Sequence, residues 1–235
     1  MMLIISFLFT LALSILPVYL VGLYVYKKDK EKEPKKLLTK LFVLGMFSCI
    51  PAAFIEVWIE PFFNLSFNSS LTELFIYVAL GIAFVEEICK WSIVYLVAYN
   101  NKEFNHIYDA IVYCVFVSLG FACFENIFYV FSANSIKVGI LRAITAIPGH
   151  ACDAVIMANY LGLAKINEYK NNKYAFTLNM FLSIAMPTLI HTIYDYCLVT
   201  NRMIFLVLFL LFLIFIYIFS IRKIKKLSEV DNNIL

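Results

Sequence analysis

Apolar residues run through this chain in long blocks separated by short polar gaps. Seven blocks are long enough to cross a bilayer as helices, which takes roughly 18 or more residues each. They fall at about 2–26, 37–59, 72–99, 107–131, 138–164, 174–199 and 203–221. No internal repeat is evident. The pattern predicts an all-α polytopic membrane helix bundle of about seven transmembrane helices. The loops are short, so no soluble domain fits between the spans. Residues 1–235 read as a single integral membrane domain: an anchor helix at 2–26, a basic loop at 27–36, a core at about 72–199 and a tail at 222–235. The first block has no basic residue before it and no convincing small-residue cleavage site, which reads as an anchor and not a removed signal peptide.

Composition agrees. Hydrophobic residues make up 63% of the 235, and the mean hydropathy is +0.87, far more than a soluble domain needs. The six cysteines lie within apolar segments without zinc-ribbon or redox-dithiol spacing, and read as small buried hydrophobes. The net charge of +3 is modest. No basic tract interleaved with aromatics points to nucleic acid, so the expected surroundings are the lipid bilayer. Lysines and arginines instead mark topology, because they favour cytoplasmic loops. With the tail IRKIKKLSEVD inside, only Lys137, Arg142 and Arg202 fall at the outer side and Lys90 within a span; the rest of the 19 lie at cytoplasmic segments. The chain is therefore expected in a bacterial plasma membrane with its N-terminus outside and its C-terminus in the cytoplasm.

Against this background some residues are out of place. An unpaired Asp, Lys or Arg at mid-membrane costs about 2.5–3.5 kcal/mol. Span three carries Glu86, Glu87 and Lys90 in AFVEEICKW, and span four carries Glu125 and Asn126 in GFACFENIFY. Span five carries His150 and Asp153, and span six His191 and Asp195. Charged and unpaired, together they would outweigh the roughly 5–15 kcal/mol net stability of a folded protein, so they must face one another or water. Glu86 and Lys90 are four apart and share a helix face, as do His191 and Asp195; Glu87 and His150 stand three before Lys90 and Asp153. Counted at 1.5 Å per residue, Glu125, His150 and His191 fall in the outer half of their spans and Glu86 near the middle. A shared cavity at mid-membrane, open to the extracytoplasmic side, would bring them together. His106 and Asp109 sit at a cytoplasmic helix start, where Asp is ordinary, and Glu56 and Glu60 are expected at the headgroups.

Carboxylates, imidazoles and a lysine in a damp cavity suit peptide hydrolysis. A carboxylate beside Lys⁺ can take a proton from water. A second can hold that water or protonate the leaving amine, and an imidazole or Asn126 can donate to the oxyanion. Alternatively Glu and His side chains ligate a divalent metal such as zinc that acidifies the water. HExxH is absent, so such a site would be assembled from separate spans, with Glu86, Glu125, His150 and His191 as ligands.

The order EEICK, then FENIFY after GFAC, then PGH, then a His late in a further span resembles the PrsW family of bacterial intramembrane proteases. That family is related to the CAAX prenyl endopeptidase and bacteriocin-immunity membrane proteins. The likeness covers about residues 80–197, including YDAIVYCVFVSLGFA and ANYLGLAK. Glu86, Glu87 and Lys90 match the first motif, Phe121, Glu125 and Asn126 the second, His150 the third and His191 the last. Asp195 stands where Asn is common in the family. The resemblance implies a glutamate-centred protease, often named a metalloprotease, that makes the site-1 cut in a single-span anti-sigma factor on its extracytoplasmic side. A second intramembrane protease would complete sigma-factor release in a stress response.

On this reading Glu86 activates water, Glu87 supports it, and Lys90 fixes their ionisation. Glu125 and His150 complete the water or metal site, and His191, oriented by Asp195, stabilises the oxyanion. Exchanging Glu86 and Glu125 violates nothing in the sequence. Two other functions fit the same residues: a CAAX-type prenyl endopeptidase with a cytoplasm-facing cavity, and a non-enzymatic transporter or immunity protein.

Overall fold

The computed structural model describes residues 2–63, 65, 69–133, 135–200 and 202–230, with side chains from residue 11 onward. Residues 231–235 of the expected tail lie outside the described residues. The chain is helical almost throughout: α1 (Met2–Lys28), α2 (Lys35–Ile59), α3 (Leu71–Tyr77), α4 (Phe84–Val94), α5 (Asp109–Ala133), α6 (Ile136–Ile144), α7 (Ala146–Tyr169), α8 (Lys173–Val199) and α9 (Met203–Glu229). Among the described residues, six helical segments are long and apolar enough to cross a membrane. The all-α membrane bundle expected from the pattern is therefore the fold.

Three elements depart from the simple seven-block picture. Span three is helical from residue 71 to 99 but widens twice, into π-helical stretches at Val78–Ala83 and Tyr95–Tyr99 on either side of α4. Single π turns inside helices gather at functional sites, and here they flank the turns that carry Glu86, Glu87 and Lys90. Span five is two helices broken at Thr145. Pro148 falls in the first turn of α7, where its missing N–H costs nothing. The Ile144 and Thr145 carbonyls at the break accept the Tyr217 hydroxyl, at 2.8 and 3.1 Å. Finally α9 runs on to Glu229, past the expected end of the span at 221, so the described part of the tail is mostly helical.

Local signals explain several helix starts. Ser70 and Glu73 form a reciprocal capping box that opens α3. The Asp109 carboxylate accepts the Asn105 and His106 amides just ahead of α5. Asn172 caps α8, preceded by Asn171 at φ 55°, a left-handed turn that Asn tolerates.

α5 is apolar on most of its surface and is the central post: 72% of its most apolar stretch is buried. α2 and α7 pack along it, and α8 packs along α7. α2 and α5 touch backbone to backbone at two glycines. A Cβ on Gly45 would stand 2.1 Å from the Val117 carbonyl oxygen, and one on Gly120 2.0 Å from that of Phe42. Beyond this crossing the two helices line a cavity between them. At the opposite, lysine-rich end the interior is filled by an aromatic chain. Trp91 stacks on Tyr95, which meets Tyr99, then Phe104, then Tyr113, with centroids 4.7–6.0 Å apart.

Candidate active site

The first turns of α4 set the site. Successive residues of a helix point about 100° apart, so Glu86 and Glu87 leave on different faces while Lys90 reaches both. The Lys90 ammonium bonds Glu86 Oε2 at 2.9 Å and Glu87 Oε1 at 2.8 Å. It also meets His150 Nδ1 at 3.1 Å and lies 4.2 Å from the centroid of the Phe121 ring. Lys90 is 1% exposed and Glu87 0%. A buried ammonium is tolerable only with such a shell of partners, and three spans supply it.

α7 and α8 bring the imidazoles. Gly149 lets α8 close in, because a Cβ there would press on the Tyr194 ring at 3.3 Å. His150 Nε2 meets Glu125 Oε2 at 2.8 Å, so its ring joins Lys90 to Glu125. His191 Nδ1 meets Glu87 Oε1 at 2.9 Å, and its Nε2 lies 3.4 Å from Asp195 Oδ2 and 3.9 Å from Glu86 Oε2. The two imidazoles are 5.3 Å apart, edge to face. The His191–Asp195 pair expected from spacing exists, but Glu87 is the closer partner. Asp153 does not orient His150, whose ring nitrogens are both engaged elsewhere. Its own carboxyl is 4% exposed and lines the cavity.

The expected convergence is thus present, with two differences. Asn126 does not face the reaction space. It is fully buried, and its Oδ1 accepts the Arg142 Nε–H at 2.9 Å. Second, the four donors that lie within 4.8 Å of one another are Glu86, Glu87, His150 and His191, with Glu87 where the sequence suggested Glu125. Glu125 is held instead between His150 and Arg142, whose Nη2 approaches Oε2 at 2.9 Å.

Sequence reasoning missed two residues. Arg142 was assigned to the outer edge, yet it bonds Glu125 and Asn126 and lies 4.0 Å from the centroid of the Tyr129 ring. Glu56, expected at the headgroups, also lines the cavity wall. Helix-face periodicity from Ala52 and Ala53 was the available signal for Glu56; no local signal marked Arg142.

The cavity measures about 640 Å³. Glu86, Glu125, His150, His191 and Asp195 reach its wall, while Glu87, Lys90 and Asn126 stand behind them. Ala53, Phe54, Phe124 and Phe128 supply an apolar side, as a peptide site needs. Its outer lining comes from the α2, α5 and α8 C-termini and from α6, the end of the bundle opposite the lysine-rich loop 27–36.

Comparison with known proteins accords with this geometry. The PrsW family intramembrane metalloprotease profile matches residues 33–221. The chain belongs to this family. It is 37% identical over 188 residues to the Protease PrsW of Oceanobacillus iheyensis, covering 80% of this chain and 82% of the relative. The Protease PrsW of Geobacillus kaustophilus is 35% identical over 180 residues, with 76% and 75% covered. That of Bacillus subtilis strain 168 is 34% identical over 176 residues, with 74% and 76% covered. No solved structure matches significantly. As a PrsW-family protein the chain is a multi-pass intramembrane peptidase.

The family description names a metal, and the donors fit one chemically: two carboxylates and two imidazoles, all buried, is a set that zinc accepts. The Lys90 ammonium now lies among three of those donors. A cation using them would have to displace it.

Proposed function

We propose that this protease makes the first cut in a single-span membrane protein, an anti-sigma factor, near the extracytoplasmic end of the substrate's span. One observation carries the side of attack: the cavity lies toward the end of the bundle away from the lysine-rich loop, and lysine-rich loops stay in the cytoplasm. The same observation disfavours a prenyl endopeptidase opening to the cytoplasm. The chain is then oriented in the bacterial plasma membrane with its N-terminus outside.

In this reading a substrate segment lies along the apolar wall with its carbonyl near Glu86. Glu86 accepts a proton from the attacking water, and Lys90 keeps its carboxylate in place. Glu87, behind the wall, pins both Lys90 and His191. His191 presents Nε2 to the cavity, near enough to steady charge on the carbonyl oxygen. Glu125 and His150 form the second acid–base pair, able to pass a proton to the leaving amine. In place of the Lys90 ammonium, a divalent ion held by Glu86, Glu87, His150 and His191 would lower the pKa of the attacking water.

The test is cleavage of a tagged single-span anti-sigma factor from the same organism by purified protein in liposomes. Wild type should yield a fragment, and Glu86→Gln, Glu125→Gln and His191→Ala, still folded, should lose at least about 100-fold in rate. A parallel run with chelator assigns water activation to the carboxylate alone or to carboxylate and ion together. Intact substrate with wild type, and with a broad membrane-peptide library, overturns the reading.

A further inference from the structure

Glu56 is unexplained by the catalytic cluster. It sits in α2, one turn before the helix ends, within a segment that is otherwise apolar. Its side chain lines the same cavity as Glu86 and Glu125. The other wall residues that ionise are mostly matched: Glu86 by Lys90, Glu125 by Arg142 and His150, Asp195 by His191. Among the described residues the Glu56 carboxyl has neither hydrogen bond nor ion pair. Asp153 is also without one, but it is almost enclosed, whereas Glu56 is half-exposed beside Phe54 and Val57 at the outer part of the wall.

Its height relative to the reacting groups follows from the helix crossing. Gly45 meets Val117, and Gly120 meets Phe42 and Met46. Both helices run outward from there. At 1.5 Å per residue, Glu56 lies roughly 4–10 Å farther out than Glu125. An extended substrate covers about 3.3 Å per residue, so this is one to three residues beyond the bond presented to the cluster.

An ionisable residue within a membrane span is a functional-site candidate by default, substrate paths included. A carboxyl without a partner, on a wall where each cation is already engaged, complements a positive side chain. Resting on the proteolytic reading above, we propose that Glu56 is a specificity-determining residue that receives a lysine or arginine of the substrate, one to three residues to the extracytoplasmic side of the scissile bond. The substrate would bring its own cation into the membrane, and Glu56 would be its counter-charge. Selection would then combine a position along the span with a charge.

The experiment uses full-length protein in nanodiscs and synthetic single-span peptides. These carry Lys, Gln, Leu or Glu at successive positions in the outer half of the span. Binding is measured in a Glu86→Gln background, so that peptides stay intact, and cleavage is measured with Glu86 present. Lys peptides should bind about tenfold or more tightly than Leu or Glu peptides at one or two adjacent positions. The preference should vanish with Glu56→Gln and invert toward Glu peptides with Glu56→Lys. Equal binding of all peptides, or a Lys preference that survives Glu56→Gln, overturns the proposal whether or not cleavage is seen. A Glu56-dependent preference without any cleavage leaves this inference standing and removes the proteolytic reading of such substrates. Cleavage indifferent to the residue type, with equal binding, does the reverse.

Discussion

Lys90 shows how much of the site hangs on one side chain. Its ammonium joins Glu86, Glu87 and His150 at 2.8–3.1 Å, with hardly any exposure. Lys90→Met keeps much of the bulk and removes the charge. Two carboxylates would then face each other in the bilayer interior, so the variant should lose about 3–5 kcal/mol of stability; a large fall in thermal midpoint in detergent checks this. At this scale the sequence was informative because membranes penalise polar groups so heavily: Glu86, Glu87, Glu125, His150 and His191 each stood out against apolar neighbours. Asn126 was misjudged because an amide's direction depends on a partner, Arg142, sixteen residues away. Glu56 was passed over because it lies near a span boundary, where a carboxyl has the ordinary alternative of facing headgroups.

Helices were legible as elements, while their irregularities were not. Long apolar blocks locate spans, and Pro148 hints at the break before it, but the π turns around α4 answer to tertiary packing that no local pattern records. The α2–α5 crossing is the element on which the cavity depends. Gly120→Ala would drive a methyl group into the Phe42 carbonyl. The expected cost is about 1–3 kcal/mol, accompanied by loss of activity although no catalytic group is touched; unfolding and turnover measured on one preparation test both. The linker between α1 and α2 offers a different test. Glu33 is buried, meets the Tyr113 hydroxyl and lies beside Asp109 and Asp29. Burial pushes its carboxyl up to about 8. Between its ordinary value of 4.5 and about 8 the folded chain keeps a proton that the unfolded chain releases, so stability falls as pH rises through that window. Glu33→Gln should flatten the fall, read as thermal midpoint against pH.

The whole molecule is a bundle closed at one end by aromatic rings and hollow at the other. The orientation proposed from the lysines has a direct test. A cysteine placed at Ala53, on the cavity wall, in a chain whose six native cysteines are replaced by Ala or Ser, should react with a membrane-impermeant thiol reagent added from outside intact cells. Labelling only after the cytoplasm is exposed would reverse the assignment and favour a cytoplasm-facing enzyme. Architecture and chemistry were readable together here because four successive spans each carried a polar exception; the cavity's size and shape were not, since they depend on how α2, α4, α5, α7 and α8 pack together.

The order of synthesis gives the pairing within α4 a meaning beyond catalysis. Residues 71–99 leave the ribosome before His150 and His191 exist, so for a time this segment must enter lipid without its eventual partners. Lys90 lies three and four residues from Glu87 and Glu86 on the same helix, and therefore travels with them. The segment carries its own counter-ion through insertion, at a net charge of one instead of two in this turn. The later helices need only trade places with lipid around a group already partly neutral. An enzyme that works on charges inside a membrane has first to be built there, and α4 meets that requirement within a single turn and a half.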